Sequence, residues 1–289
     1  MSGSVLEAGD RETLDREYDN SAKVPNASVV IARFTRESEA TRRALPCVLD
    51  VRYGAHERET LDIFPAGGPG LAPVQIFIHG GYWRALGKSD VSYVARAFHP
   101  AGVAVVVIDY ALIPSVDMDE LVRQCRAAAA WTYRHARSFG GDPARIYVSG
   151  HSAGGHLAAM LLATDWASFD GLPTDALKGG CGISGLYDLE PIRRCFLNDD
   201  LKLDPEQTRR NSPVHLAPSA AGPVLLAVGE REGREYHRQT DALATAWGRR
   251  GLPCEILDLA GHDHFSIAMQ LDDPASDLTR AIMRRMTVR

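Results

Sequence analysis

The stretch Ile146-Tyr147-Val148-Ser149 running into Gly150-His151-Ser152-Ala153-Gly154 constrains this chain more than any other. A short β-branched run feeds a G-x-S-x-G sequence, and a small-residue, apolar stretch over 152–163 follows as a helix. Glycines on both sides of the serine let a strand turn sharply into a helix where a Cβ would strike neighbouring backbone. Such a turn needs a buried sheet with helices packed on it, and the remainder of the chain supplies one. Short, mostly apolar runs at 74–78, 103–108, 145–149, 180–183, 224–228 and 254–259 read as parallel strands buried on both faces. Between them lie longer helical patterns, of which 119–139 is the clearest. This alternation predicts an α/β fold with a mostly parallel, doubly wound central sheet flanked by helices. Ahead of it, 47–53 and 60–64 alternate like half-exposed antiparallel strands, and the glycine- and proline-rich 65–73 reads as a loop. Residues 185–215 interrupt the rhythm and are too long for a plain connection, which suggests a small helical lid or cap. We read 1–289 as a single domain, with 1–45 as its N-terminal segment.

Composition removes several function classes. Of 289 residues, 45% are hydrophobic and 24% charged, with a net charge of −5, so the strong basic field of a nucleic-acid binder is missing. Five cysteines (47, 125, 181, 195 and 254) are scattered without a C-x-x-C pair, which fits reduced thiols better than a disulfide framework or a zinc site. The first twenty residues are acidic and lack the apolar centre of a secretory signal. Apolar runs such as 103–108 and 157–163 fall far short of the roughly 20 residues of a spanning helix. The expectation is a soluble, cytoplasmic protein acting on a small molecule, with no membrane, nucleic acid, metal or cofactor; a homodimer stays open.

Ser152 is the candidate nucleophile. The sequence IFIHGGYW at 76–83 places His79-Gly80-Gly81 after a buried strand, where backbone amides can turn toward a developing oxyanion. Gly81 and Tyr82 are the expected donors, joined by the amide of Ala153. His79 is expected to brace the loop, and a phosphate-binding loop is disfavoured because no Gly-Lys-Ser/Thr ending follows. An acid and a histidine should come after the serine in the chain. His264, in a Gly-x-x-His-Phe sequence after the last strand, is favoured over His262 as base. For the acid, Glu230, Glu232 and Glu235 follow the preceding strand, and Glu232 is favoured because the loop can present it toward His264.

The segments HGGYW, GHSAGGHL, SGLYDLEPI, NSPVHL, GEREGREYHRQ and DHF together resemble the kynurenine formamidase (arylformamidase) branch of the α/β-hydrolase fold, near the hormone-sensitive-lipase-like esterases. The resemblance runs from about residue 45 onward, and EYDNSAKVP at 17–25 is similar to the N-terminal segment of that family. It implies Ser152 as nucleophile, Glu232 as acid and His264 as base, with no cofactor. Mammalian-type members carry aspartate at the acid position, so a glutamate here keeps the charge and reaches one methylene further. It also implies hydrolysis of short-acyl aryl amides or esters, N-formyl-L-kynurenine to L-kynurenine and formate foremost, within tryptophan catabolism. Bulky Tyr82 should narrow the acyl side, and Trp83, Tyr110 and Tyr187 are expected to offer flat surfaces to an aromatic leaving group. The alternatives are a general short-chain carboxylesterase and, more remotely, a non-catalytic ligand-binding protein of the same fold.

Overall fold

Side-chain alternation along the apolar strands decides the layering. In 103–108, Ala104, Val106 and Ile108 enter one hydrophobic core, whereas Val103, Val105 and Val107 enter the other. The computed structural model of the chain describes residues 10–68, 70–218 and 222–286. Its strands are β1 (Val48–Arg52), β2 (Thr60–Phe64), β3 (Ala72–Ile78), β4 (Ala104–Ile108), β5 (Gly141–His151), β6 (Gly180–Ile183), β7 (Val224–Gly229) and β8 (Cys254–Leu259). They form one eight-stranded sheet in the order β1-β2-β4-β3-β5-β6-β7-β8. β3 to β8 pair in parallel, and β1 and β2 run antiparallel at one edge. The helices Met118–His135, Ala153–Leu162 and Arg234–Gly248 cover one face, and Asp277–Arg285 packs on the other.

The run 254–259 departs from the expected two-sided burial. β8 is the far edge of the sheet, and Glu255, Ile256 and Asp258 stay exposed there, although Arg285 of the helix Asp277–Arg285 reaches over to pair with Glu255.

The strand order places the candidate site. β4 lies on one side of β3 and β5 on the other, so the chains leaving β3 and β5 diverge and open a crevice at the strands' C-terminal ends. Ile78 is in register with Gly150, so the segments 79–83 and 151–154 emerge side by side at that crevice.

Two segments flank it. The N-terminal residues form α1 (Arg11–Tyr18), α2 (Asn20–Lys23) and α3 (Ala27–Ala44). Asp10 and Asp19 cap the first two by accepting from the amides of Thr13 and Ala22. Residues 185–215 form the short helices Glu190–Arg193, Asn198–Leu201 and Pro205–Arg210 and the 3-10 turn Pro213–His215. This stretch sinks Leu186, Leu189, Ile192, Leu197 and Leu201 into the core. It also docks on α1, where the Phe196 amide donates to Asp15 Oδ1 at 2.6 Å and Arg11 pairs with Asp199. Among the described residues no helix is long and apolar enough to cross a membrane.

Candidate active site

Ser152 sits at φ 57° and ψ −121°, a backbone conformation that costs a non-glycine residue on the order of 1–3 kcal/mol. Surrounding bonds impose it. The Ser152 amide donates to Ile183 O at 2.8 Å, and the Ser152 carbonyl accepts from the amides of Gly155 and His156 at 2.8 and 3.1 Å. The flanking glycines are required by close approach. A Cβ on Gly150 would lie 2.2 Å from Gly154 O, and one on Gly154 would lie 2.1 Å from Ile78 O.

His264 Nε2 stands 3.0 Å from Ser152 Oγ, and its Nδ1 stands 2.7 Å from Glu232 Oε2. A carboxylate facing Nδ1 selects the tautomer whose proton is on Nδ1, which leaves the Nε2 lone pair toward the serine hydroxyl. The side chain of Glu232 is fully buried. Its other oxygen, Oε1, accepts from Ser184 Oγ at 2.5 Å and from the Gly229 amide at 2.8 Å. The alternative acids are engaged elsewhere: Glu230 accepts from the Gly261 amide, and Glu235 binds Tyr18 Oη and Arg238. His262 offers its carbonyl to the Arg231 amide, and its Nδ1 is buried without a partner among the described residues.

The His264 ring is packed against His151, Tyr236 and Phe265 at centroid distances of 4.7, 4.6 and 5.5 Å. His151 had no role in the sequence reading beyond filling the variable position of G-x-S-x-G. Here its Nε2–H donates to the His264 carbonyl at 2.8 Å. Burial, and secondarily the proximity of His264, holds its pKa well below the usual histidine value, so it stays a neutral donor that anchors the backbone of His264.

Across the crevice, Gly81 has φ 101°, and a Cβ there would lie 2.2 Å from Ala85 O. Tyr82 and Trp83 also take positive φ, 48° and 59°, which bulky residues adopt only when held. Among the described residues the amides of Gly81, Tyr82 and Ala153 donate to no protein acceptor. The hold comes from backbone and side chains together: Gly81 O accepts from the amides of Arg84 and Ala85 at 3.0 Å, and the Ile113 amide donates to Trp83 O at 2.9 Å. Tyr82 Oη donates to Tyr18 O at 2.7 Å, and Trp83 Nε1 donates to His156 Nδ1 at 3.1 Å. His156 in turn donates from Nε2 to Asn211 O at 2.7 Å, and burial lowers its pKa to about 4. His79 stacks on Tyr110 at 4.2 Å, with Nε2 3.1 Å from Asp109 Oδ1. Burial works against the Asp109 charge, but His79 and Arg58 outweigh it and keep the carboxyl below its ordinary range.

The aromatic surfaces expected for the leaving group need correction. Trp83, Tyr110 and Tyr187 are each 0% exposed and belong to the core. Trp83 turns its indole to His156, Tyr110 Oη donates to His79 O at 3.1 Å, and Tyr187 fills the space left by the missing side chains of Gly182 and Gly185. Positive φ at 83, the glycines at 182 and 185 and the His79 stack go with the inward placement of Trp83, Tyr187 and Tyr110 respectively, which residue type alone does not announce.

The cleft beside Ser152 measures about 210 Å³. Gly81, Tyr82, Leu86, His151, His264 and Phe265 line it from the sheet side. Asn20, Ile31 and Phe34 close it from the N-terminal helices, and no described residue of 185–215 takes part. Sequence reasoning gave the covering role to 185–215 and missed 20–34. The signal was available in the polar Asp-Asn-Ser beside Tyr18 and in the i, i+3 pair Ile31 and Phe34 on an amphipathic helix.

Comparison with known proteins places these features among relatives. A family model described as BD-FAE matches residues 61–179. A kynurenine formamidase of Danio rerio is 33% identical over 286 residues, covering 95% of this chain and 96% of its own. Among solved structures, a putative thioesterase from Silicibacter sp. tm1040 superposes with a TM-score of 0.84 at 30% identity, over 95% of this chain and 100% of its own. The carboxylesterase EstE1 from a metagenomic library superposes at 0.72 with 18% identity, over 98% and 99% of the two chains, and shares the fold.

Proposed function

The chain belongs to the kynurenine formamidase family of α/β-hydrolase-fold hydrolases, and from that membership we propose that it hydrolyses N-formyl-L-kynurenine to L-kynurenine and formate, with Ser152, His264 and Glu232 as its triad. The observation carrying this is the unbroken chain from Glu232 Oε2 through His264 to Ser152 Oγ, opening on a small cleft whose wall, Tyr82, is fixed through its hydroxyl.

In the first half-reaction Ser152 Oγ bonds to the formyl carbon while its proton passes to His264 Nε2. Negative charge gathers on the formyl oxygen, where the amides of Gly81, Tyr82 and Ala153 receive it; such donors typically contribute about 3 kcal/mol each. Glu232 stabilises the imidazolium. The carbon–nitrogen bond then breaks as His264 delivers that proton to the leaving nitrogen, which departs as the aromatic amine. Water activated by the same histidine attacks formyl-Ser152 and releases formate. The chemistry uses no cofactor.

Cys47, Cys125, Cys181, Cys195 and Cys254 are all free thiols, which suits the reducing cytoplasm in which we place this step of tryptophan catabolism. The test is kcat/KM for N-formylkynurenine beside 4-nitrophenyl esters from acetate to octanoate. A preference for the formamide supports the reading. An optimum at butyrate or longer, without formamidase activity, leaves a general carboxylesterase.

A further inference from the structure

The polar cluster behind Tyr82 is not used by the acyl-transfer steps above. α2 carries Asn20 to the cleft, where it is only 5% exposed. Asn20 Nδ2 lies 3.0 Å from Tyr82 Oη and 2.7 Å from Tyr236 Oη. The Tyr82 hydrogen is committed to the Tyr18 carbonyl, which can only accept. Asn20 must therefore be the donor toward Tyr82, and that requirement fixes its carboxamide with nitrogen to the tyrosines and oxygen away from them. Oδ1 accepts no hydrogen bond among the described residues, although the residue is nineteen-twentieths buried and lines the cleft beside Ser152. Oδ1 is not one of the fully enclosed polar atoms that lack a partner, so this oxygen stays accessible in a residue that lines the cleft and is open to a donor from the ligand.

Amide and ester substrates differ in this respect. As serine attacks an amide, the leaving nitrogen becomes pyramidal, turns its lone pair toward the histidine proton and points its N–H elsewhere. Away from water that hydrogen needs an acceptor, whereas an ester oxygen carries none. We propose that Asn20 Oδ1 accepts the N–H of the scissile amide in the transition state, so that the N-terminal helix supplies the preference for amides over esters in this site. The inference rests on the formamidase reading and adds to it the residue that makes amides good substrates.

The experiment compares 4-nitroformanilide with 4-nitrophenyl formate, corrected for spontaneous hydrolysis, because the pair differs only by NH or O at the leaving atom. In Asn20→Ala the amide-to-ester ratio of kcat/KM should fall about 10- to 100-fold, through kcat, with ester turnover changed far less. Asn20→Asp retains an oxygen and loses the donors, so it should keep the ratio within about threefold even where both rates drop. If Asn20→Ala fails to fold, Asn20→Ser, whose shorter hydroxyl withdraws the acceptor, carries the same expectation. An unchanged ratio in a folded acceptor-less variant, or a ratio lost equally in Asn20→Asp, overturns the role of Asn20 while formamidase activity stands. A wild-type enzyme that cleaves the ester but no formanilide overturns the formamidase reading itself, and the Asn20 role with it.

Discussion

Replacing Glu232 with glutamine changes one atom in the proposed triad, and its neighbours dictate the consequence. Two donors, Ser184 Oγ and the Gly229 amide, converge on Oε1 at 2.5 and 2.8 Å. A glutamine must present its oxygen to them, because an NH2 there would leave both donors facing a third. Its amide nitrogen then points at His264 Nδ1, where the carboxylate stood at 2.7 Å. A donor at that position selects the tautomer with the proton on Nε2, so the ring offers an N–H to Ser152 and cannot take its proton. In the serine-protease triad the comparable acid-to-amide change lowers kcat by about 10⁴-fold, or roughly 5 kcal/mol of barrier, and the same magnitude is expected here. Glu232→Asp acts differently. It keeps the charge but withdraws the carboxylate by about one carbon–carbon bond, roughly 1.5 Å, which opens the contact beyond hydrogen-bonding range unless the 229–233 turn moves. A loss of about 100-fold is expected, smaller than for glutamine. Both variants should be assayed for kcat/KM on N-formylkynurenine, with Tm measured alongside to confirm folding. Glutamine retaining activity within tenfold of wild type, or outperforming aspartate, would refute the tautomer argument.

His264→Ala should cost several powers of ten in kcat/KM, since base and nucleophile act as one unit, whereas His262→Ala should cost less than tenfold; equal losses would place the base on the wrong residue. Because the hydroxyl of Tyr82 is tied to Tyr18, the acyl side of the cleft resists expansion, and each added methylene from formyl to octanoyl on one aryl leaving group should lower kcat/KM by about 10-fold or more. A flat or rising series contradicts a fixed wall. His156 has a folded pKa of about 4 against 6.5 unfolded, so the unfolded chain binds more protons between these values. Stability is therefore full above pH 6.5 and is lost as pH falls toward 4, by at most about 3 kcal/mol from this residue. His156→Gln should flatten the dependence of Tm on pH in that window, and an unchanged slope would assign the acid sensitivity elsewhere.

The sheet was legible because its strands are short apolar runs whose two-residue period sorts side chains between two cores, and because the serine turn needs its glycines at fixed positions. Ser152, His264 and Glu232 follow three strand ends that the parallel order brings together, which is why strand ends read from the sequence offered them as one group. What resisted reading was direction. Trp83, Tyr187 and Tyr110 look like binding surfaces by type, but positive φ at 83, the glycine gaps at 182 and 185 and the stack on His79 go with their inward placement. Asn20, Ile31 and Phe34 lie more than a hundred residues before Ser152 and reach the cleft only through tertiary docking of the N-terminal helices, which local periodicity does not record. The role of His151 was hidden for a related reason: its partner is a backbone carbonyl 113 residues away.

Formate release from N-formylkynurenine by the wild-type chain and by Ser152→Ala, measured under identical conditions with both proteins shown to be folded, tests the central claim most directly. The wild type should turn over readily, at a kcat/KM above that for 4-nitrophenyl butyrate, and Ser152→Ala should lose about 10⁵- to 10⁶-fold. Release of formate by Ser152→Ala at a comparable rate, or none by the wild type, would contradict it.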